Sequence, residues 1–299
     1  MEVRHHPVLL HETVAILRPR SDGCYLDATV GTGGHAEALL LESGPGGRLC
    51  GIDRDVEALA LARDRLRPFG DRVQLLHGDF STLGSIAAEN GWGPFAGILF
   101  DLGLSSFQLS EPSRGFSFSR DGPLDMRMDR RGAGKTAAEK LAKLPEREIA
   151  RILREYGEER FAGRIAARIV AERRQRPLIS TVHLARLVAE AVPRRAWPRR
   201  IHVATRTFQA LRIAVNDELQ SLTRGLRDAV SLLAPAGRLC VISFHPLEDR
   251  IAKETLRSCA RSEPPRLRVL TKRPIVPTRG ETVANPRARS AKLRAAERL

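Results

Sequence analysis

A chain of 299 residues, 42% hydrophobic and 28% charged, is long enough to bury one large core or two modest ones and needs no disulfide stapling. It has no run of about twenty apolar residues, and Met1-Glu-Val-Arg-His-His-Pro7 lacks the apolar core of a secretory signal, so a cytoplasmic protein without a membrane partner is expected. Fifty Lys and Arg against 35 Asp and Glu give a net charge of +15, which favours a polyanionic partner; an arginine-preferring genome or plain solvated faces would give the same excess.

In chain order, Cys24-Tyr-Leu-Asp-Ala-Thr-Val30 reads as a buried strand and Gly34 to Leu41 as the helix after it. Gly47-Arg-Leu-Cys-Gly-Ile-Asp53 is a second strand, followed by a helix from Val56 to Leu66. Val73-Gln-Leu-Leu-His77 and Phe95-Ala-Gly-Ile-Leu-Phe-Asp101 are further strands. Short alternating units of this kind build a parallel, doubly wound α/β sheet. Residues 105–135, rich in Gly, Ser, Arg, Asp and Met, read as a long loop. Residues 137–192 carry helical apolar spacing, punctuated by Pro177 and Pro193, and a further helical pattern runs from Thr205 to Leu233. After Ala234-Pro-Ala-Gly237, Arg238-Leu-Cys-Val-Ile-Ser-Phe-His245 is again a strand, and Ala291-Lys-Leu-Arg294 is open to strand formation. An all-helical domain is therefore expected as an insertion into one sheet domain. Cys24, Cys50, Cys240 and Cys259 are scattered, without a Cys-x-x-Cys pair or a histidine cluster; no metal is expected, and Cys50 and Cys240 read as core residues.

The chemistry starts at Asp27-Ala-Thr-Val-Gly-Thr-Gly-Gly-His35. Gly31, Gly33 and Gly34 remove side chains where the chain turns sharply and a ligand approaches the backbone, and the following helix presents free N–H groups. Asp53 ends the second strand, placed to accept ribose hydroxyls. A nicotinamide dinucleotide and S-adenosylmethionine both use this layout, and the loop alone leaves both open. Asp27 suits a positively charged methionine portion and would sit poorly beside a pyrophosphate. Asp79 and Phe80 follow the third strand, where an adenine would stack, and Asp101 ends the fourth. Four strand-end aspartates favour S-adenosylmethionine, whereas any single one could merely cap the next helix.

From Gly31-Thr-Gly-Gly-His35 onward the chain resembles the bacterial 16S ribosomal RNA cytosine-N4 methyltransferases, the MraW or RsmH family. The likeness runs through Asp101-Leu-Gly-Leu-Ser-Ser106, Arg114-Gly-Phe-Ser-Phe-Ser-Arg-Asp-Gly-Pro-Leu-Asp-Met-Arg-Met-Asp129, Tyr156-Gly-Glu-Glu-Arg-Phe-Ala162, Ala204-Thr-Arg-Thr-Phe-Gln-Ala-Leu-Arg-Ile213, Ile242-Ser-Phe-His245 and Asn285-Pro-Arg-Ala-Arg-Ser-Ala-Lys-Leu-Arg294. It spans almost the whole chain from His6. Val203 stands where the family pattern has Pro, and Pro246 where Ser is usual, which removes a hydroxyl able to cap the next helix.

The resemblance implies a Rossmann-like class I methyltransferase sheet in residues 1–107 and 214–299, with 108–213 forming the loop and inserted all-helical domain. It implies a cytoplasmic enzyme that uses S-adenosylmethionine to methylate N4 of a cytidine in the decoding centre (P-site region) of 16S rRNA, within the small ribosomal subunit. The family's cofactor positions fall here on Gly33, Gly34, His35, Asp53, Phe80, Asp101 and Gln108. A homodimer stays open, as do a methyltransferase-fold RNA-binding or ribosome assembly factor and an enzyme with another acceptor.

An exocyclic amine is a poor nucleophile that must be held in line and relieved of a proton. Asp101, in Asp101-Leu-Gly-Leu-Ser-Ser106 where many amino-methylating enzymes carry Asn/Asp-Pro-Pro-Tyr, is the candidate to contact the cofactor amine or the cytosine amino group. Phe244 and His245 could stack on or bond a splayed base, or be a core pair. Arg114, Arg120 and Arg127, mixed with Phe116 and Phe118, suit RNA contact, or pair with Asp121, Asp125 and Asp129 in an ordered lid. Arg194, Arg195, Arg199 and Arg200, with Arg287 and Arg289, are the better RNA-surface candidates, against the bland reading of solvated faces.

Overall fold

The computed structural model describes residues 7–299; His6, where the family resemblance begins, lies outside the described residues. The elements run in the order α1 (Leu10–Leu17), β1 (Cys24–Asp27), α2 (Gly34–Glu42), β2 (Arg48–Asp53), α3 (Val56–Leu66), β3 (Val73–His77), α4 (Leu83–Glu89) and β4 (Phe95–Asp101). Then come α5 (Ser106–Ser110), α6 (Ala137–Lys143), α7 (Glu146–Gly157), α8 (Ala162–Arg173), α9 (Thr181–Ala191), α10 (Thr205–Asn216) and α11 (Glu218–Leu232). The chain closes with β5 (Leu233–Ser243), α12 (Pro246–Ala260), β6 (Leu267–Val269), α13 (Arg279–Ala284) and β7 (Lys292–Arg298). It divides into two compact units, Met1–Gly103 with Leu219–Leu299, and Leu104–Glu218, their boundaries a few residues from those at 107/108 and 213/214 suggested by the sequence.

The first unit holds a seven-stranded sheet in the order β3-β2-β1-β4-β5-β7-β6. The pairs joining β3, β2, β1, β4 and β5 are parallel, and β7 lies antiparallel between β5 and β6. The fold is therefore a Rossmann-like α/β sheet, as the sequence led us to expect. Strand alternation explains the near-continuous apolar runs. Leu26, Ile98, Phe100 and Val241 pack on one face with Leu226 of α11 and Leu256 of α12. Tyr25, Leu99, Cys240 and Ile242 pack on the other with Leu39 of α2 and Leu59 of α3. A strand covered by helices on both sides has no polar face to keep. Cys50 and Cys240 are buried strand residues, and both thiols are free. The order reverses between β1 and β4, so the carboxyl ends of these two strands flank the crevice where doubly wound sheets bind ligands.

The second unit is helical around one core, with Ile149, Leu153, Ile165, Ile169, Leu184, Val188 and Phe208 at its centre. The sequence reads residues 105–135 as a long ordered or semi-ordered loop, and the segment is pinned at several points. The Arg114 guanidinium is buried, with 1% of its surface exposed, and donates to the carbonyls of Met128 at 2.8 Å and Arg127 at 3.3 Å. Asn216 accepts from Met128 N at 2.8 Å and donates to Met126 O at 2.8 Å. The helical pattern from Thr205 to Leu233 is two helices, because Asp217 takes a left-handed conformation (φ 51°, ψ 37°) that ends α10. Asp tolerates this region better than most residues and stops a helix there.

Candidate active site

Three aspartates, a histidine and a threonine meet at the carboxyl ends of β1, β2 and β4. The turn after β1 is tied to its neighbours through the backbone: Ala28 N donates to Leu99 O at 2.9 Å, and Val30 N to Ile52 O at 3.0 Å. Gly31, with φ +51°, donates its N–H to Asp53 Oδ2 at 2.8 Å, while Asp53 Oδ1 accepts from Asp55 N at 2.8 Å. Gly33, with φ +83°, is the N-cap residue of α2, where any side chain would be strained. A Cβ on Gly34 would fall 2.5 Å from Pro7 Cγ and 3.0 Å from the Arg65 guanidinium. Glycine here is imposed by packing, with no positive φ required.

Asp27 is 1% exposed, and its Oδ1 accepts from Thr29 N at 3.1 Å and from the Thr29 hydroxyl at 3.4 Å. That same hydroxyl accepts from Asp101 N at 2.6 Å, so Thr29 joins the ends of β1 and β4. His35, buried on α2, points Nε2 at Val8 O, 3.1 Å away, and Nδ1 at Asp101 Oδ2, 3.4 Å away. Asp101 Oδ1 is buried without a hydrogen-bond partner among the described residues. The sequence singled out Asp27, Asp53, Asp101 and His35, but not Thr29 or Val8. A Thr two residues past a strand-end acid was the available signal for the first; nothing in the pattern marked the Val8 carbonyl.

Burial drives the Asp27 carboxyl up to about 7, with His35 and the Thr29 amide opposing and Asp101 and Asp53 reinforcing. Burial likewise drives Asp53 up to about 6, against the amides of Asp55 and Gly31. Burial opposes the charged form of His35, but the hydrogen bond and charge of Asp101, the charge of Asp27 and the Val8 carbonyl together raise its pKa. Crowded acids held partly protonated favour a cationic ligand, because a positive charge would let them ionise; a pyrophosphate would be repelled. The donor set therefore fits a ligand carrying ammonium or sulfonium charge and rejects a dinucleotide.

The remaining expected residues fall in several settings. Phe80 follows β3, its ring edge-on to Phe100 with centroids 5.5 Å apart and the Arg54 guanidinium 5.9 Å from its centre. Asp79 is ion-paired with Arg54 and caps the turn through Ser81 N at 2.8 Å. Gln108 lies in the second unit, buried, where its Oε1 accepts from Ser105 N at 3.0 Å and its N–H donates to Ser105 Oγ at 3.2 Å, a capping box for α5. His245 is the N-cap of α12: Nδ1 accepts from Glu248 N at 3.4 Å, while Glu248 Oε2 accepts from Phe244 N at 2.8 Å and His245 N at 3.3 Å. Its Nε2 lies 3.1 Å from Glu248 Oε1 without hydrogen-bond alignment. Pro246 thus costs the helix no cap, since it occupies the first turn behind His245. Phe244 lies over the turn after β4, so that a Cβ on Gly103 would come 3.4 Å from its ring.

Arg114 is a correction: read as an RNA contact, it is instead a buried tether, and the sequence misled because composition does not separate a solvated arginine from one that satisfies carbonyls. Arg127 pairs with Asp125 through two bonds of 2.7 and 3.0 Å, the ordered-lid alternative, whereas Arg120 is exposed. Arg194, Arg195, Arg199, Arg200, Arg287 and Arg289 are all exposed, and the Arg194 guanidinium stacks 4.6 Å from the Trp197 ring centre. Trp197 continues into an aromatic run, with His202 at 6.5 Å and Phe118 4.7 Å beyond it.

The model of the MraW methylase family matches residues 2–299. The chain is 51% identical over 312 residues to the ribosomal RNA small subunit methyltransferase H of Geobacter sulfurreducens, with all of both chains covered. It is 50% identical over 310 residues to the protein of that name in Pelobacter propionicus (99% of each chain), and 50% identical over 313 residues to that of Heliobacterium modesticaldum (100% of each).

Proposed function

Because the chain belongs to the MraW methylase family, we propose that it transfers a methyl group from S-adenosylmethionine to N4 of a cytidine in the decoding centre of 16S rRNA. The names of its relatives support small-subunit ribosomal RNA as the substrate. The observation that carries the chemistry is the buried, unpartnered Oδ1 of Asp101 at a strand end crowded with acids.

S-adenosylmethionine supplies an electrophilic methyl group on a sulfonium cation. Asp27 and Asp53 would hold the positive end and the ribose hydroxyls, with Gly33 and Gly34 keeping the turn open and Phe80 offering the adenine a stacking face. Asp101 Oδ1 accepts a hydrogen of the cytosine amine as its lone pair is drawn out of the ring, which lowers the cost of pyramidalising that nitrogen. His35 fixes the carboxylate. With Nε2–H directed at the Val8 carbonyl, Nδ1 faces Asp101 Oδ2 at 3.4 Å, so Oδ1 is left as the acceptor. Arg194, Arg195, Arg199 and Arg200 around Trp197 offer phosphate contacts beside a stacking surface, the composition that single-stranded RNA takes.

The test is transfer of labelled methyl to small subunits from a strain lacking the enzyme, followed by digestion to nucleosides. The proposal expects the label in N4-methylcytidine; label in any other nucleoside or in protein overturns the acceptor.

A further inference from the structure

In the first unit, α12, β6 and β7 line an open-sided cavity of about 290 Å³, and none of its lining residues is one of the strand-end acids. Its wall is cationic: Lys253 and Arg257 from α12, Lys272 from the segment after β6, and Arg294 from β7. No carboxylate lines it. Asp249 neutralises Arg294 through bonds of 2.5 and 3.2 Å, but it is shared with Lys292 at 3.1 Å, so one negative charge answers two positive ones. Lys253, Arg257 and Lys272 have no carboxylate partner within salt-bridge distance among the described residues.

Lys253 and Arg257 stand one helical turn apart on the same face, an arrangement of like charges that weakens a helix. The floor is apolar, made by Leu256 and Val269. Thr271 adds no free hydroxyl, since its Oγ1 accepts from Ala295 N at 2.9 Å and reaches Ala295 O at 3.5 Å. Three uncompensated cations over an apolar floor recognise an anionic group carried on a less polar body. The volume lies near the lower end of the roughly 300–1,000 Å³ of small-ligand sites and suits a single such unit.

We infer that this cavity takes a phosphodiester unit of the acceptor RNA, the phosphate held by Lys253, Arg257 and Lys272 and the sugar against Leu256 and Val269. The inference rests on the reading of RNA as acceptor and adds a second anchor on that polymer, outside the reaction centre.

The experiment measures binding of a mixed-sequence, single-stranded RNA 20-mer against salt for wild type, Lys253→Glu/Lys272→Glu and Lys253→Arg/Lys272→Arg. The charge-reversed protein should bind about tenfold more weakly, with a salt slope smaller by roughly 0.7 for each phosphate that it no longer neutralises. The arginine pair should behave as wild type. Unchanged S-adenosylmethionine affinity and melting temperature in both variants exclude misfolding, and Lys253→Ala/Lys272→Ala, with the same effect in milder form, replaces the reversal if it does not fold. Wild-type affinity and slope in the reversed protein, while wild type still methylates small subunits, overturn the cavity and leave the RNA reading standing. If wild type neither binds the 20-mer nor methylates subunits, the RNA reading falls and takes the cavity with it.

Discussion

Asp27 carries a larger shift than Asp53, the other raised carboxyl at the strand ends. Its carboxyl ionises near pH 3.8 in an unfolded chain and near 7 when folded. Between those values the unfolded chain gives up its proton first, so stability falls as pH rises and the penalty is complete above about pH 7. Asp27→Asn should therefore raise the melting temperature of the ligand-free protein at about pH 8, do little at about pH 4, and weaken S-adenosylmethionine binding; thermal unfolding across pH with and without the cofactor reads all three. Asp101→Ala should cost about a hundredfold in methyl transfer; full activity with unchanged cofactor affinity rules its role out. Asp27, Asp53 and Asp101 were legible because an acid ending an apolar strand beside a glycine turn has few bland explanations when it recurs. Thr29 was not, because its hydroxyl bonds the amide of Asp101, 72 positions away, and only strand pairing brings the two together.

At the scale of elements, local patterns gave α3, β3 and β4 to the residue, since an amphipathic or all-apolar run bounded by Asp or Gly carries its own limits. The misses came where a distant partner decides. β7 is a strand because it fits antiparallel between β5 and β6, and its own basic sequence made it only a candidate. The segment from Arg114 to Asp129 reads equally as an RNA-contacting loop or an ordered lid, because the anchors that decide it, the carbonyls of Arg127 and Met128 and the Asn216 amide, are invisible to composition. Arg114→Met removes donors to two carbonyls in a buried site and should destabilise the helical unit by about 3 kcal/mol. Urea unfolding measures this. Unchanged stability with weakened RNA binding would return Arg114 to the surface role that the sequence suggested.

At the scale of the whole molecule, the net charge of +15 suits a polyanion but equally solvated faces, and it does not say where a partner binds. The structure sorts the arginines: some are consumed as tethers or by acids, as Arg114, Arg127 and Arg294 are, and others stand exposed around Trp197. No helix among the described residues is long and apolar enough to cross a membrane. The doubly wound parallel sheet is legible in the alternation of elements, whereas the strand order and its switch point are not; the strand-end aspartates of the crevice already point to a cationic cofactor, and burial adds why they are held partly protonated. That crevice is the central claim, and calorimetric titration of the purified protein with S-adenosylmethionine tests it most directly. A sulfonium and ammonium beside Asp27 and Asp53 favour their ionised forms, so binding should expel protons and tighten as pH rises from about 5.5 to about 7.5. An affinity that stays flat over that range, or a nicotinamide dinucleotide that binds in its place, would contradict the account.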